Sequence, residues 1–109
     1  VGRVLRVDRS SSVDGRVRTY TVVGQVFFAS SESFIGAFDF KEVVEQVRID
    51  VSRSHFWDIT AVSALDKVVL KFKREGAEVE VIGLDAASAT LIDRFALHDK
   101  PGAVEQLMH

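Results

Sequence analysis

Cysteine is absent from the 109 residues. Disulfides, thiolate metal sites and a cysteine nucleophile are therefore excluded, and a reducing compartment is compatible with the composition. A basic excess is missing as well. The 14 Lys and Arg stand against 16 Asp and Glu, a formal charge of -2, which is not the balance of a protein that neutralises DNA or RNA phosphates. Nucleic acid is not an expected partner. Long hydrophobic runs are lacking too: the stretches Gln25 to Ala29 and Val68 to Phe72 are interrupted far below membrane-spanning length, so this polypeptide is not expected to cross a bilayer. The glycines assemble neither a G-x-x-x-x-G-K-[ST] loop nor a G-x-G-x-x-G turn after a strand, which leaves no warrant for a bound nucleotide or other cofactor. The chain opens on Val1 rather than Met, with no signal-peptide pattern ahead of the first strand. We therefore expect a fragment whose natural N-terminal neighbour is missing.

What is present is a 47% apolar content, enough for one buried core, and no repeat or linker that would divide the chain. Residues 1–109 are read as a single domain. Val4 to Asp8 and Val17 to Val23 have strand patterning around a polar connection ending in Asp14-Gly15, which predicts a β-hairpin. Gly24 interrupts the pattern, so "QVFF" is expected to form a short third strand. Ser30 and Ser31 are candidate caps for a short helix carrying Phe34, Ile35 and Phe38. Val47, Ile49 and Val51 alternate with Arg48 and Asp50, predicting a central strand followed by a loop at Arg53 to Trp57. From Ala61 to Glu75 the positions Ala61, Leu65, Val68, Val69 and Phe72 form one helical stripe, with Asp66 and the lysines facing elsewhere. Thr60 is placed to cap that helix, Lys73 and Arg74 suit its C-terminal end, and Gly76 suits the left-handed position beyond it. "EVEVIG" reads as a strand. Asp85 can cap a further helix burying Ala87, Leu91, Ile92 and Phe95, and Pro101 is placed to start a last one. The order β-β-β-α-β-α-β-α-α predicts an α/β fold: a mixed β-sheet with a leading β-hairpin, parallel βα units and helices packed on the sheet.

Chemistry concentrates at "HFWDITAVSALDKVVLKF", which places Trp57, Asp58, Thr60 and Ser63 where a strand meets the N-terminus of the strongest helix. The unpaired N–H groups and partial positive charge there would stabilise a phosphate on Thr60 or Ser63. The plainer reading is that Thr60 or Asp58 caps the helix. Ser63, His55 and Asp58 have the residue types of a hydrolase, but within one strand-to-helix turn nothing orients them as nucleophile, base and orienter. His55 with Asp58, or His98 with Asp99, supplies too few ligands for a metal site. Phe56 is expected in the core, while Trp57 suits either core or interface. Arg3, Arg6, Arg9, Arg16 and Arg18 give the first hairpin a basic bias, suited to anionic headgroups or to a charge-protected sheet edge.

Read as a whole, "FWDITAVSALDKVVLKFKREGAEVEVIGLDAASATLIDRFALHDKPG", together with the upstream blocks "GQVFFASSESFIGAF" and "VRIDVS", closely resembles the STAS domains at the cytosolic C-terminus of bacterial SulP anion transporters. In the anti-sigma-factor antagonist branch of that family, Asp is followed by two hydroxyl residues and Gly, and the second hydroxyl is phosphorylated. Here Thr60 falls on that position, while Ile59 and Ala61 replace the first hydroxyl and the Gly, as in the transporter branch. The resemblance implies a non-catalytic regulatory and protein-interaction domain of a sulfate or other anion transporter, on the cytoplasmic side of the inner membrane. Its implied partners are the parent's membrane domain, a cytosolic regulatory protein and a second copy of itself. The alternative it implies is a free-standing anti-sigma-factor antagonist switched by phosphorylation at Thr60. In either case Asp58, Thr60, Ser63 and Trp57 are the candidate phosphoacceptor or docking residues.

Overall fold

The computed structural model describes residues 5–95, with side chains to residue 93. The expected last helix at Pro101 lies outside the described residues, as do Arg3, His98 and the side chain of Phe95. Four strands and three helices follow one another as β1 (Arg6–Ser11), β2 (Val17–Val26), α1 (Ser31–Gly36), β3 (Gln46–Phe56), α2 (Ile59–Arg74), β4 (Glu78–Ile82) and α3 (Ala86–Phe95). The sheet order is β1-β2-β3-β4. β1 and β2 form the expected antiparallel hairpin, with Gly15 in the left-handed region at its turn, and β2, β3 and β4 run parallel. The mixed sheet with helices packed on it is therefore as expected, and β3 is an interior strand.

The expected third strand does not exist as a separate element. Gly24 takes a φ of 121° and still pairs with Ser54, so β2 continues through it to Val26. Glycine tolerates that conformation without the Cβ clash that would break the strand.

β3 also outruns its prediction, replacing the expected loop at Arg53 to Trp57. Its register against β2 shifts between Thr21↔Asp50 and Val23↔Arg53, so β3 carries one extra residue there. The Asp50 carboxylate accepts the Ser52 N–H at 3.0 Å within this bulge. A one-residue slip exchanges the two faces of a strand. Before the bulge Val47, Ile49 and Val51 are buried; after it the buried residues are Ser54 and Phe56. The alternation breaks, which makes a continuous strand read as a loop. Gly83, just past β4, lies against the bulge: a Cβ there would fall 2.6 Å from the Ser52 Cβ, and its φ is 83°.

The core joins Tyr20, Val22, Val26, Val47, Ile49, Val51 and Phe56 of the sheet to Phe34 and Phe38 beside α1, to the buried side of α2 and to Ile92 of α3. All five residues of the predicted α2 stripe are buried, and so are Val62, Ala64 and Leu70. Asp66, expected to face away, is buried as well. The reason is that α2 packs against α1, α3, β3 and β4 together, which covers more of it than a single stripe. In α3 Ile92 is buried and Leu91 half-buried, but Ala87 is exposed and Ser88 takes the buried place beside it.

Candidate functional site

The carboxyl ends of β2 and β3 and the N-terminus of α2 meet at one end of the molecule, the end where open α/β sheets place their ligands. Asp58, not Thr60, caps α2. Its backbone is extended, one carboxylate oxygen accepts the Ala61 N–H at 2.8 Å, and the other accepts the Phe28 N–H at 3.0 Å. One side chain thus closes the helix and ties down the β2–α1 connection. Ser30 occupies the cap position of α1 without a capping side-chain bond; its hydroxyl instead donates to the Gln25 carbonyl at 2.8 Å and accepts the Phe27 N–H at 3.1 Å.

With the cap supplied by Asp58, Thr60 is free to lie exposed in the first turn of α2. Thr60 and Ser63 line an open groove of about 430 Å³ between α1 and α2, together with Ser31, Glu32, Ile35 and Lys67. Trp57 is 61% exposed and donates its indole N–H to the Gln25 side chain. Phe56 is 1% exposed and belongs to the core, as expected. The bulge in β3 is what sends Phe56 inward and leaves Trp57 outside. Phe28 at 71% and Ile59 at 54% exposure complete an apolar group around the Asp58 cap. In the sequence Ile59 stands out only as the replacement for a hydroxyl and Phe28 is not singled out, so the exposure of both is new. Phe28 belongs to the apolar run that reads as strand, whereas β2 ends at Val26 and Phe28 lies beyond it.

In the fold, Asp58 and His55 of the hydrolase constellation are each bonded elsewhere, and Ser63 lines the groove between α1 and α2 without them. Both carboxylate oxygens of Asp58 are engaged with backbone N–H groups, and His55 turns to Asp85, with Nδ1 2.7 Å from Oδ2. Asp85 also accepts the Ser88 N–H at 2.7 Å, fulfilling its predicted role as the cap of α3. These bonds, that from His55 foremost, hold the Asp85 carboxyl at about 2. The His55 ring lies edge-on to Trp57, with centroids 4.3 Å apart. Ser88 is 1% exposed and its hydroxyl accepts the Phe56 N–H at 3.0 Å, docking α3 on the end of β3.

At the hairpin each described arginine has a carboxylate neighbour: Arg6 with Asp8 at 2.9 Å, Arg9 with Asp39 at 3.8 Å, Arg16 with Glu45 at 3.3 Å, and Arg18 with Glu42. The basic bias is compensated locally, and β1 is an exposed sheet edge studded with charge, which suits edge protection. Among the described residues no helix is long and apolar enough to cross a membrane.

Comparison with known proteins agrees with this geometry. Residues 9–107 match the model of the STAS domain. Over 87 residues, 80% of this chain, the sequence is 45% identical to "Putative sulfate transporter YbaR" of Bacillus subtilis (strain 168). The chain spans only 18% of that relative's length. The crystal structure of an antisigma-factor antagonist STAS domain from Rhodobacter sphaeroides superposes with a TM-score of 0.72 at 54% identity, covering 76% of this chain and 90% of that one. The murine Solute Carrier 26 family member A9 anion transporter shares the fold, with a TM-score of 0.63 at 21% identity, over 72% of this chain and 14% of its own. Relatives thus occur both among proteins named as transporters and among those named as anti-sigma-factor antagonists. With nearly its whole length matched by the family model and a fold to agree, this chain belongs to the STAS domain family.

Proposed function

We propose that the domain is a non-catalytic regulatory and protein-interaction module of a SulP-type anion transporter. In this reading it lies on the cytoplasmic side of the inner membrane, beneath the parent's membrane domain, and docks a cytosolic protein. The observation that carries the interaction role is the exposure of Phe28, Trp57 and Ile59 around the Asp58 cap, beside the open hydroxyls of Thr60 and Ser63. Large apolar side chains grouped at the surface and rimmed by polar ones mark protein contacts, and tryptophan is the strongest such anchor. The 45% identity to YbaR supports the transporter assignment. A non-catalytic role is supported by the prior engagement of Asp58 and His55, which leaves Ser63 without an oriented base. The test is an antibody to this domain applied to fractionated native cells. A membrane-bound band much larger than 12.1 kDa is expected; a small band in the soluble fraction would overturn the assignment.

A second reading rests on the 54% identical Rhodobacter sphaeroides domain, described as an antisigma-factor antagonist. In it the chain acts alone, and a phosphate on exposed Thr60 releases an anti-sigma factor. Incubation with a kinase of that class separates the two, since absence of label on Thr60 would remove the switch.

A further inference from the structure

We propose that the exposed strip of α2 rests on an anionic lipid surface. A membrane lies close by in the transporter reading, on which the proposal rests, and the strip gives that reading an orientation. Apart from Ile59 at its start, the exposed residues of α2 are Thr60, Ser63, Lys67, Lys71 and Arg74. At about 100° per residue these five fall within one arc of about 80°. None of them is acidic. The helix carries a single carboxylate, Asp66, and that one is buried. Surface helices ordinarily interleave the two signs, because a carboxylate three or four residues from a lysine supports the helix. This strip forgoes that support in a chain whose formal charge is -2.

The hairpin makes the contrast. Each described arginine there has a carboxylate beside it, whereas among the described residues none of Lys67, Lys71 and Arg74 is ion-paired. Glu32 lines the groove with Lys67 but does not pair with it. Lys71 holds its ammonium 5.1 Å from the centroid of the Phe40 ring, a contact that places the charge without neutralising it. Lys71 and Arg74 lie in the last turn and also suit the negative end of the helix. Lys67, a full turn earlier, has no such reason to be basic. The rise from Lys67 to Arg74 is about 10 Å, close to the Debye length of about 8 Å at physiological salt, so the three charges act on a facing surface together. Lysine is depleted from protein interfaces, while basic residues on one helical face suit phosphate headgroups. The chemistry therefore favours lipid over a protein partner.

Co-sedimentation of the 109-residue chain with vesicles tests this. Each cation near a charged bilayer is worth roughly fivefold in partition, so the three together are worth roughly a hundredfold. Wild type is expected to sediment with vesicles of phosphatidylglycerol and phosphatidylcholine in equal parts, not with phosphatidylcholine alone, and to be released by added salt. Combining Lys67→Gln, Lys71→Gln and Arg74→Gln is expected to lower the partition roughly a hundredfold. Arg6→Gln with Arg9→Gln, which alters the hairpin instead, is expected to leave it near the wild-type value. Circular dichroism confirms that the variants stay folded, and the salt dependence of wild type needs no variant. Absence of vesicle binding, equal binding to phosphatidylcholine alone, or binding that survives the triple substitution overturns the proposal. Binding to polyglutamate but not to vesicles also overturns it and assigns the strip to an acidic protein surface. Failure here leaves the transporter reading standing, whereas a small soluble band on fractionation removes that reading and leaves the vesicle result intact.

Discussion

Asp58 does two jobs with one carboxylate, capping α2 through Ala61 and holding Phe28 through its backbone N–H. Asp58→Ala is expected to cost about 1–2 kcal/mol, the upper part of the range for a lost cap, because a second bond goes with it. A urea midpoint against wild type measures the loss; an unchanged midpoint would mean that water replaces both bonds at no cost. Thr60 makes the contrast. It is exposed and its cap role is taken, so Thr60→Glu should leave the thermal midpoint nearly unchanged, as a negative charge near a helix N-terminus is tolerated. The same variant should weaken whatever contact uses this face. A large drop in its thermal midpoint would show that Thr60 is structural. At this scale the sequence placed Asp58, Thr60, Ser63 and Trp57 at a common junction, but which of two neighbouring residues caps the helix turned on where the first helical residue sits. Ile59 is that residue, and a boundary shift of one or two positions lies within what local pattern leaves open.

Between elements, the docking of α3 onto β3 depends on small polar contacts. The Ser88 hydroxyl accepts the Phe56 N–H deep in the structure. Ser88→Ala leaves that donor without its partner, for an expected loss of about 1–3 kcal/mol in chemical denaturation. The His55 and Asp85 contact should loosen with it, visible as a change in Trp57 emission. If stability is unchanged, the Phe56 N–H must have found another acceptor. The α2 helix was legible in detail because a long amphipathic pattern, a cap and Gly76 with φ 95° all agree. The end of β3 was not, because the bulge inverts the alternation on which strand reading relies. Nothing in the local sequence announces that inversion; it is held by pairing with β2 and by the close approach of Gly83.

For the whole molecule, acid stability follows from a few carboxylates. Asp85 is held at about 2 against an ordinary 3.8, first by His55 and then by the Ser88 N–H. Asp14, bonded by the Ser12 hydroxyl, and Asp50, bonded by the Ser52 N–H, are also lowered. A lowered folded value means that the ionised form stabilises the fold. The contribution is complete above the unfolded value and is lost as pH falls through the folded one, here between about 4 and about 2 for Asp85. Asp85 is 46% exposed, so solvent screening keeps its share small. Thermal midpoints taken from about pH 5 downward should show wild type converging on Asp85→Asn as the carboxylate protonates. A constant gap across that range would assign the effect of the variant to packing.

Composition and periodicity alone pointed to an α/β fold with a leading hairpin, a central strand, a well-bounded helix and a polar junction at its start. Those features are local: apolar spacing, caps and turn residues act over a few positions. The family resemblance was legible too, because it is carried by contiguous blocks. Only the tertiary structure decided that β2 and β3 run unbroken, that Asp66 is buried, that His55 belongs to Asp85, and that Phe28, Trp57 and Ile59 are exposed beside the Asp58 cap. Each of these depends on residues about 30 positions apart in sequence, as Phe28 and Asp58 or His55 and Asp85 are, or on a bulge set by pairing with a neighbouring strand. Such contacts form only when the sheet assembles, and short-range pattern carries no record of them.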